Sequence, residues 1–223
     1  MAQSPEQLIC DAVSILASVE IMDYNGHASL RGREGGFYIN TADSDRAAMT
    51  PDQVCFVNHE GNSISGERPP NEVALHAAIF SARPDIQAIV HGHPKWSTLY
   101  TLTEQEIPTV MPQGCLVANL PVYPKSHSIS KPERGAAVAE VIGQSDGALL
   151  AGHGSVLAGQ TIQQAVALAI YTEQNAERAY RSKTLGQAKT ISGPEQEEYR
   201  TGLAKPALYQ KCWSFYLGQG KAK

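Results

Sequence analysis

The sequence predicts an α/β fold of three layers, with helices on both faces of a central mixed, mainly antiparallel sheet. Three observations carry this. Short apolar runs at 86–90, rich in β-branched residues, and at 147–151 alternate with longer stretches of helical periodicity, the pattern of layered α/β domains. Turn chemistry between neighbouring extended runs adds hairpins, which a purely parallel doubly wound sheet would lack. No repeat, low-complexity tract or linker divides the 223 residues, so one domain over 1–223 is expected.

Taken in order, Ser4-Pro5-Glu6 reads as an N-cap, an N1 proline and an acidic first turn. Leu8, Ile9, Ala12, Val13, Leu16 and Val19 keep one helical stripe to about Ile21. Asp23-Tyr24-Asn25-Gly26 is a turn leading into a strand at 27–31. The Gly-rich turn at 32–36 returns it as a strand at 37–40. Thr50-Pro51-Asp52 starts another helix or turn. Extended runs at 54–57 and 63–65 flank His59-Glu-Gly-Asn62, which predicts a second hairpin. Arg68-Pro69-Pro70-Asn71 stops extended structure and starts a helix over 72–82, with Asn71 as N-cap and Val73, Leu75, Ala78 and Ile79 inward.

The strand at 86–90 follows, then a helix at 96–102, strand and loop material at 108–122, a helix at 132–142 and a buried strand at 147–151. Thr161 with Gln164 forms a capping box for a long helix to about Thr184, stopped by Gly186. Ser192 with Glu195 forms another, for a C-terminal helix that Pro206 bends or interrupts.

Composition excludes several classes. Hydrophobic residues make up 42% and charged residues 18%, and the formal net charge is −4, with no basic run. Neither nucleic acid nor an anionic membrane is expected as a partner. No apolar run approaches the roughly 20 residues of a membrane span. The N-terminus lacks the basic and apolar regions of a secretory signal, so a cytoplasmic protein is expected. Cys10, Cys55, Cys115 and Cys212 are widely separated and fit buried thiols better than disulfides or a zinc knuckle.

The chemistry centres on Ile86-Gln-Ala-Ile-Val-His91-Gly-His93-Pro94. Side chains at i and i+2 of a strand share a face, so two imidazoles can aim at one point. His153 ends another apolar run between two glycines, which allow close backbone approach. If the runs are neighbours, His91, His93 and His153 surround one divalent cation and leave an open position, the pattern of a catalytic metal site. Glu72, just ahead of the metal strand, is the candidate base; its plain reading is a complement to the helix dipole. His76 reads as a core histidine, and His59 and His127 as solvated.

Together these segments carry a resemblance. Gly26-His27-Ala-Ser-Leu-Arg31, Arg68-Pro-Pro-Asn-Glu72-Val-Ala-Leu-His76, Arg83-Pro-Asp-Ile-Gln-Ala-Ile-Val-His91-Gly-His93 and Ala151-Gly-His153-Gly resemble, in order and spacing, the class II aldolase/adducin family over about residues 5–185. The resemblance implies zinc, or manganese, cobalt or iron, on His91, His93 and His153, with Glu72 as acid/base. It also implies a homotetramer with sites near subunit interfaces. There a C-terminal tyrosine, with Tyr209 as candidate, reaches the neighbour's substrate. The adducin branch lacks the metal histidines; this chain keeps all three, which favours an enzyme over a binding module.

Where sugar-phosphate aldolases of that family grip phosphate, this chain reads Gly26-His27, Asn40-Thr41-Ala42-Asp43 and Pro70-Asn71. An added carboxylate repels phosphate and a proline lacks an N–H. The expectation is therefore a metal-dependent carbon–carbon lyase. Its reaction would be decarboxylation of an unphosphorylated hydroxyaromatic or oxo/hydroxy carboxylic acid through a metal-stabilised enolate, with aldol cleavage as the alternative. Arg31, Arg68 and Asn71 are candidates to hold the substrate, and His27 to hydrogen-bond the departing carboxylate.

Overall fold

A computed structural model describes residues 3–33, 35–103 and 105–220. Met1 and Ala2, at the start of the segment expected to lack a signal, and Glu34, in the expected hairpin turn, lie outside the described residues.

The first helix, α1 (Pro5–Ser18), is capped by the Ser4 hydroxyl, which accepts from the Gln7 N–H. It stops three residues short of the expected end, because Glu20 turns to φ 58° and the N–H groups of Ile21 and Met22 close back on Leu16. β1 (His27–Arg31) and β2 (Phe37–Asn40) form the expected hairpin, and β3 (Val54–Val57) joins it after a 3-10 turn over Pro51–Gln53. The second hairpin does not form. Residues 63–65 make only one bridge, Val57 to Ser63: the Ser65 hydroxyl takes the Phe56 N–H of β3, and the Asn58 side chain takes the Glu60 and Asn62 N–H groups of the turn.

Helix α2 (Val73–Ala82) is capped at Glu72, one residue later than expected, so Asn71 is not the N-cap. The predicted inward stripe is also too narrow. Ala74, Leu75, His76, Ala77, Ile79 and Phe80 are all buried. β4 (Ala88–Gly92) starts two residues late and takes His91 into the strand. Helix α3 (Lys95–Thr101), β5 (Val122–Tyr123), α4 (Pro132–Ile142) and β6 (Gly147–Leu150) follow. Then comes a strand the sequence reading passed over, β7 (Gly154–Gly159). Its residues, Gly-Ser-Val-Leu-Ala-Gly, carry no alternation because both faces are covered. Helices α5 (Ile162–Ser182), α6 (Gly193–Leu203) and α7 (Pro206–Gly220) complete the chain, with the break before Pro206 as expected.

Among the described residues seven strands run in the order β3-β2-β1-β4-β7-β6-β5. Every pair is antiparallel except β5 with β6. On one face α1, α5 and α7 bury Ala28, Val90 and Leu157 among Ile9, Leu16, Val166 and Trp213. On the other, α2 and α4 bury Phe37, Ile39, Ile89 and Val156 among Leu75, Ile79 and Val138. This is the expected mixed three-layer fold. Cys10, Cys55 and Cys115 are buried free thiols, and Cys212 is half-buried.

Candidate active site

Strand register assembles the centre. In the β1–β4 ladder His27 lies directly opposite His91, so both rings stand on the α2 face, their centroids 4.9 Å apart. His93, just past the end of β4, turns its ring to 5.1 Å from that of His91. His153 sits in the β6–β7 turn, 5.0 Å from the His91 ring and 5.4 Å from the His93 ring. Glycine permits this closeness: a Cβ on Gly154 would stand 2.2 Å from the Gly92 carbonyl oxygen. The start of α2 then brings Glu72 over the rings, with Oε2 3.3 Å from His91 Nε2 and 3.6 Å from His27 Nε2. Its Oε1 is 3.6 Å from His153 Nε2.

Glu72 does not cap its own helix. Its Oε1 accepts instead from the Ile129 N–H at 2.6 Å and the Ser128 hydroxyl at 2.9 Å. Burial pushes its carboxyl up, but the approach of His27 and His91 outweighs this and holds it well below the usual carboxylate range. Glu72 is therefore ionised. Burial pushes the His91 imidazole down against the opposing pull of Glu72, and pushes His153 down to about 4. Both rings are neutral near pH 7, with lone pairs to offer.

The same atoms pass a test for a metal ion. His91 Nδ1 donates to the Ser155 carbonyl at 2.9 Å, which leaves Nε2 bare. That Nε2 is buried without a hydrogen-bond partner, facing an ionised oxygen; two electron-rich atoms so placed call for a cation. His93 Nδ1 lies 3.3 Å from Asp23 Oδ1, the outer carboxylate contact that orients a ligating imidazole. Ligand atoms of Glu72, His91, His93 and His153 all lie within 4.8 Å of one another. Among the described residues no other group of His, Cys, Asp and Glu side chains is so arranged.

Glu72, His27, His93 and His153 open into a polar cavity of about 410 Å³, lined also by Asn25, Ala42, Arg46, Arg68, Pro70, Asn71 and Ser128. A larger, more apolar cavity of about 540 Å³ between α3, β5 and α5 contains none of the cluster; the chemistry belongs to the smaller, polar one.

Of the residues proposed to hold substrate, Arg68 and Asn71 line the cavity, although Arg68 is exposed and paired with Asp43 at 2.8 Å. Two are elsewhere. Arg31 donates to the carbonyl oxygens of Phe80, Arg83 and Ile86, closing the C-terminal end of α2, so its fork is already used. Tyr209 is 7% exposed and packs in the core beneath α1 and α5, away from the cavity of its own chain. Arg46, which the sequence reading missed, lines the cavity and is buried. Its guanidinium is held by the carbonyl oxygens of Gly26, Ala42 and Ser44. Nothing marks it out in the polar run Asp43-Ser-Asp-Arg46. Ser128 and Ile129, which grip Glu72 from 56 and 57 residues away, left no signal either.

Fold and cluster together define an α/β enzyme with a site that could hold a divalent metal ion. The chain belongs to the family described as Class II Aldolase and Adducin N-terminal domain, which it matches over residues 7–180. It is 28% identical over 170 residues to the 5-methylthioribulose-1-phosphate/5-deoxyribulose-1-phosphate aldolase of Escherichia coli O45:K1, covering 75% of this chain and 79% of that one. It is 27% identical over 198 residues to the 3,4-dihydroxyphthalate decarboxylase of Terrabacter sp., covering 82% and 83%. The structure of L-fuculose 1-phosphate aldolase from Glaciozyma antarctica superposes with a TM-score of 0.84 at 23% identity, covering 98% of this chain and 88% of that one. The relatives are lyases, and this chain is an enzyme of that kind.

Proposed function

We propose that the protein is a divalent-metal-dependent decarboxylase of a small, unphosphorylated hydroxyaromatic or oxo/hydroxy carboxylic acid. The observation that carries this is the meeting of Glu72 and His27 beside three clustered imidazoles, next to a cavity that also holds Arg46 and Arg68. Zinc is the expected ion, with manganese, cobalt and iron accepted by the same donors. His91, His93 and His153 would hold it, and it would supply Lewis acidity that draws charge from the substrate's oxygens.

The protein's own groups do the rest. Glu72, ionised and fixed by Ser128 and Ile129, takes the proton of a substrate hydroxyl. His27 hydrogen-bonds the carboxylate. As the carbon–carbon bond breaks, CO2 departs and its bonding pair stays behind as an enolate. Glu72 then returns the proton to that carbon and is ionised again; the carboxylate has been exchanged for hydrogen, and the substrate oxygen that gave up its proton takes one from water as the product leaves. Arg68 can leave Asp43 for a substrate anion at little cost, because an exposed ion pair is worth little in water.

Aldol cleavage is the second reading, favoured by the similarity to the Escherichia coli aldolase. It uses the same groups, with an aldehyde leaving in place of CO2. The test is to offer hydroxyaromatic acids and hydroxy-oxo acids to the zinc-loaded protein and to measure CO2 and aldehyde separately. CO2 alone supports the proposal; aldehyde alone reverses it. A homotetramer with sites near its interfaces belongs to the same proposal, and light scattering on the purified protein checks it.

A further inference from the structure

His76 is fully buried, and the reaction above gives it no part. Its surroundings show a built arrangement. Residues i and i+2 of a strand share a face, as do residues i and i+4 of a helix. His27 and Ser29 of β1 therefore face Glu72 and His76 at the start of α2. The two rows mesh through polar atoms. Ser29 Oγ lies 2.6 Å from His76 Nδ1, and His76 Nε2 lies 2.9 Å from His27 Nδ1. His27 Nε2 completes the row, 3.6 Å from Glu72 Oε2.

A neutral imidazole has one donor nitrogen and one acceptor nitrogen, so the bonds in such a row must all point the same way. Burial holds His76 well below its ordinary value, and it is neutral. Only two arrangements keep every bond: all donors aimed toward Glu72, or all aimed away from it. Two independent facts choose the first. The Glu72 carboxylate attracts an Nε2–H on His27 and repels a lone pair there. The Ser29 hydroxyl is fully buried, and its one side-chain partner is His76. In the reverse arrangement its proton would have no acceptor, the costlier kind of buried orphan.

We propose that Ser29 and His76 are positioning residues that lock His27 in the Nε2–H tautomer, so that a fixed hydrogen-bond donor meets an anionic oxygen of the substrate beside Glu72. The proposal rests on reading this cavity as the active site. It divides the labour between two adjacent groups: Glu72 accepts protons, and His27 donates a hydrogen bond. Without the lock, a bare Nε2 could face the substrate carboxylate and repel it.

The tautomer can be read directly by long-range 1H–15N NMR on zinc-loaded protein labelled with 15N-histidine. His27 and His76 are both expected to carry their proton on Nε2. In His76→Leu, His27 should lose its single tautomer and kcat should fall about 10–100-fold, as for other outer partners of catalytic groups, with zinc content unchanged. His76→Gln keeps an amide N–H and should restore both tautomer and rate. If His76→Leu does not fold, Ser29→Ala makes the same comparison by mixing the His76 tautomers, and Ser29→Thr is its rescue.

A wild-type His27 protonated on Nδ1 overturns the proposal, as does an unchanged tautomer and rate in His76→Leu. The spectrum needs no substrate. The expected tautomers in a protein that releases neither CO2 nor aldehyde would support the lock and refute the reaction.

Discussion

Replacing Glu72 by Gln keeps the length of the side chain and an oxygen for the Ile129 N–H, and removes the basic carboxylate. Turnover in Glu72→Gln is expected to fall about 10²–10⁴-fold, the usual worth of a positioned base. Zinc content by elemental analysis should hold, since the three imidazoles remain. Full activity would remove Glu72 from its role. Arg31 gives the opposite pattern. Its three bonds go to main-chain carbonyl oxygens at the end of α2, so Arg31→Ala is expected to cost about 2 kcal/mol in denaturant unfolding while leaving KM within about twofold. A large rise in KM there would return Arg31 to the site. At this scale the sequence revealed which residue types meet at the cavity, because His-x-His and Gly-His-Gly are local patterns. It misassigned Arg31 and missed Arg46, because what occupies a guanidinium is decided by carbonyl oxygens distant in sequence.

Two contacts between elements hold the site in place. Helix α3 begins right after the His93-Pro94 pair, and the carboxylate of Glu173 in α5 accepts from the N–H groups of Trp96 and Ser97 and from the Ser97 hydroxyl. A buried negative group there also meets the positive end of the helix. Glu173→Ala should therefore destabilise the fold by about 2–4 kcal/mol in denaturant unfolding; a change below about 0.5 kcal/mol would mean that water replaces the cap. On the other face, α4 lies close against α2 at Gly135, where a Cβ would stand 2.3 Å from the Ala74 carbonyl oxygen. Gly135→Ala should cost about 1–3 kcal/mol by overpacking, and should move Glu72 with its helix. Helix and strand types were largely legible because their apolar periods are local. Strand β7 was not, since a strand covered on both faces shows no alternation. The expected partner at 63–65 failed because the Ser65 hydroxyl took the Phe56 N–H of the ladder and the Asn58 side chain took the Glu60 N–H of the turn.

For the whole molecule, the cluster joins β4, the β6–β7 turn and the start of α2, so a bound ion ties together elements distant in sequence. An ion that binds only the folded state stabilises by about 2.7 kcal/mol at one hundred times Kd. For a chain of this size that is roughly a 5–10 °C rise in Tm. His153→Ala should abolish most of that rise, and an equal rise in the variant would place the ion elsewhere. Chelation should remove turnover and leave the far-ultraviolet circular dichroism unchanged, because the apolar layers on both faces of the sheet do not depend on the cluster.

By itself the sequence determined the mixed three-layer class, the order of nearly all elements, and the histidines and glutamate that could hold a metal ion. These follow from local periodicity, turn chemistry and spacing. Only the tertiary structure decided which of them meet. The register that sets His27 opposite His91, the turn that delivers His153, and the grip of Ser128 and Ile129 on Glu72 all depend on pairings across distant parts of the chain. Local pattern cannot encode such pairings, because they are chosen by the packing of whole layers rather than by any one segment.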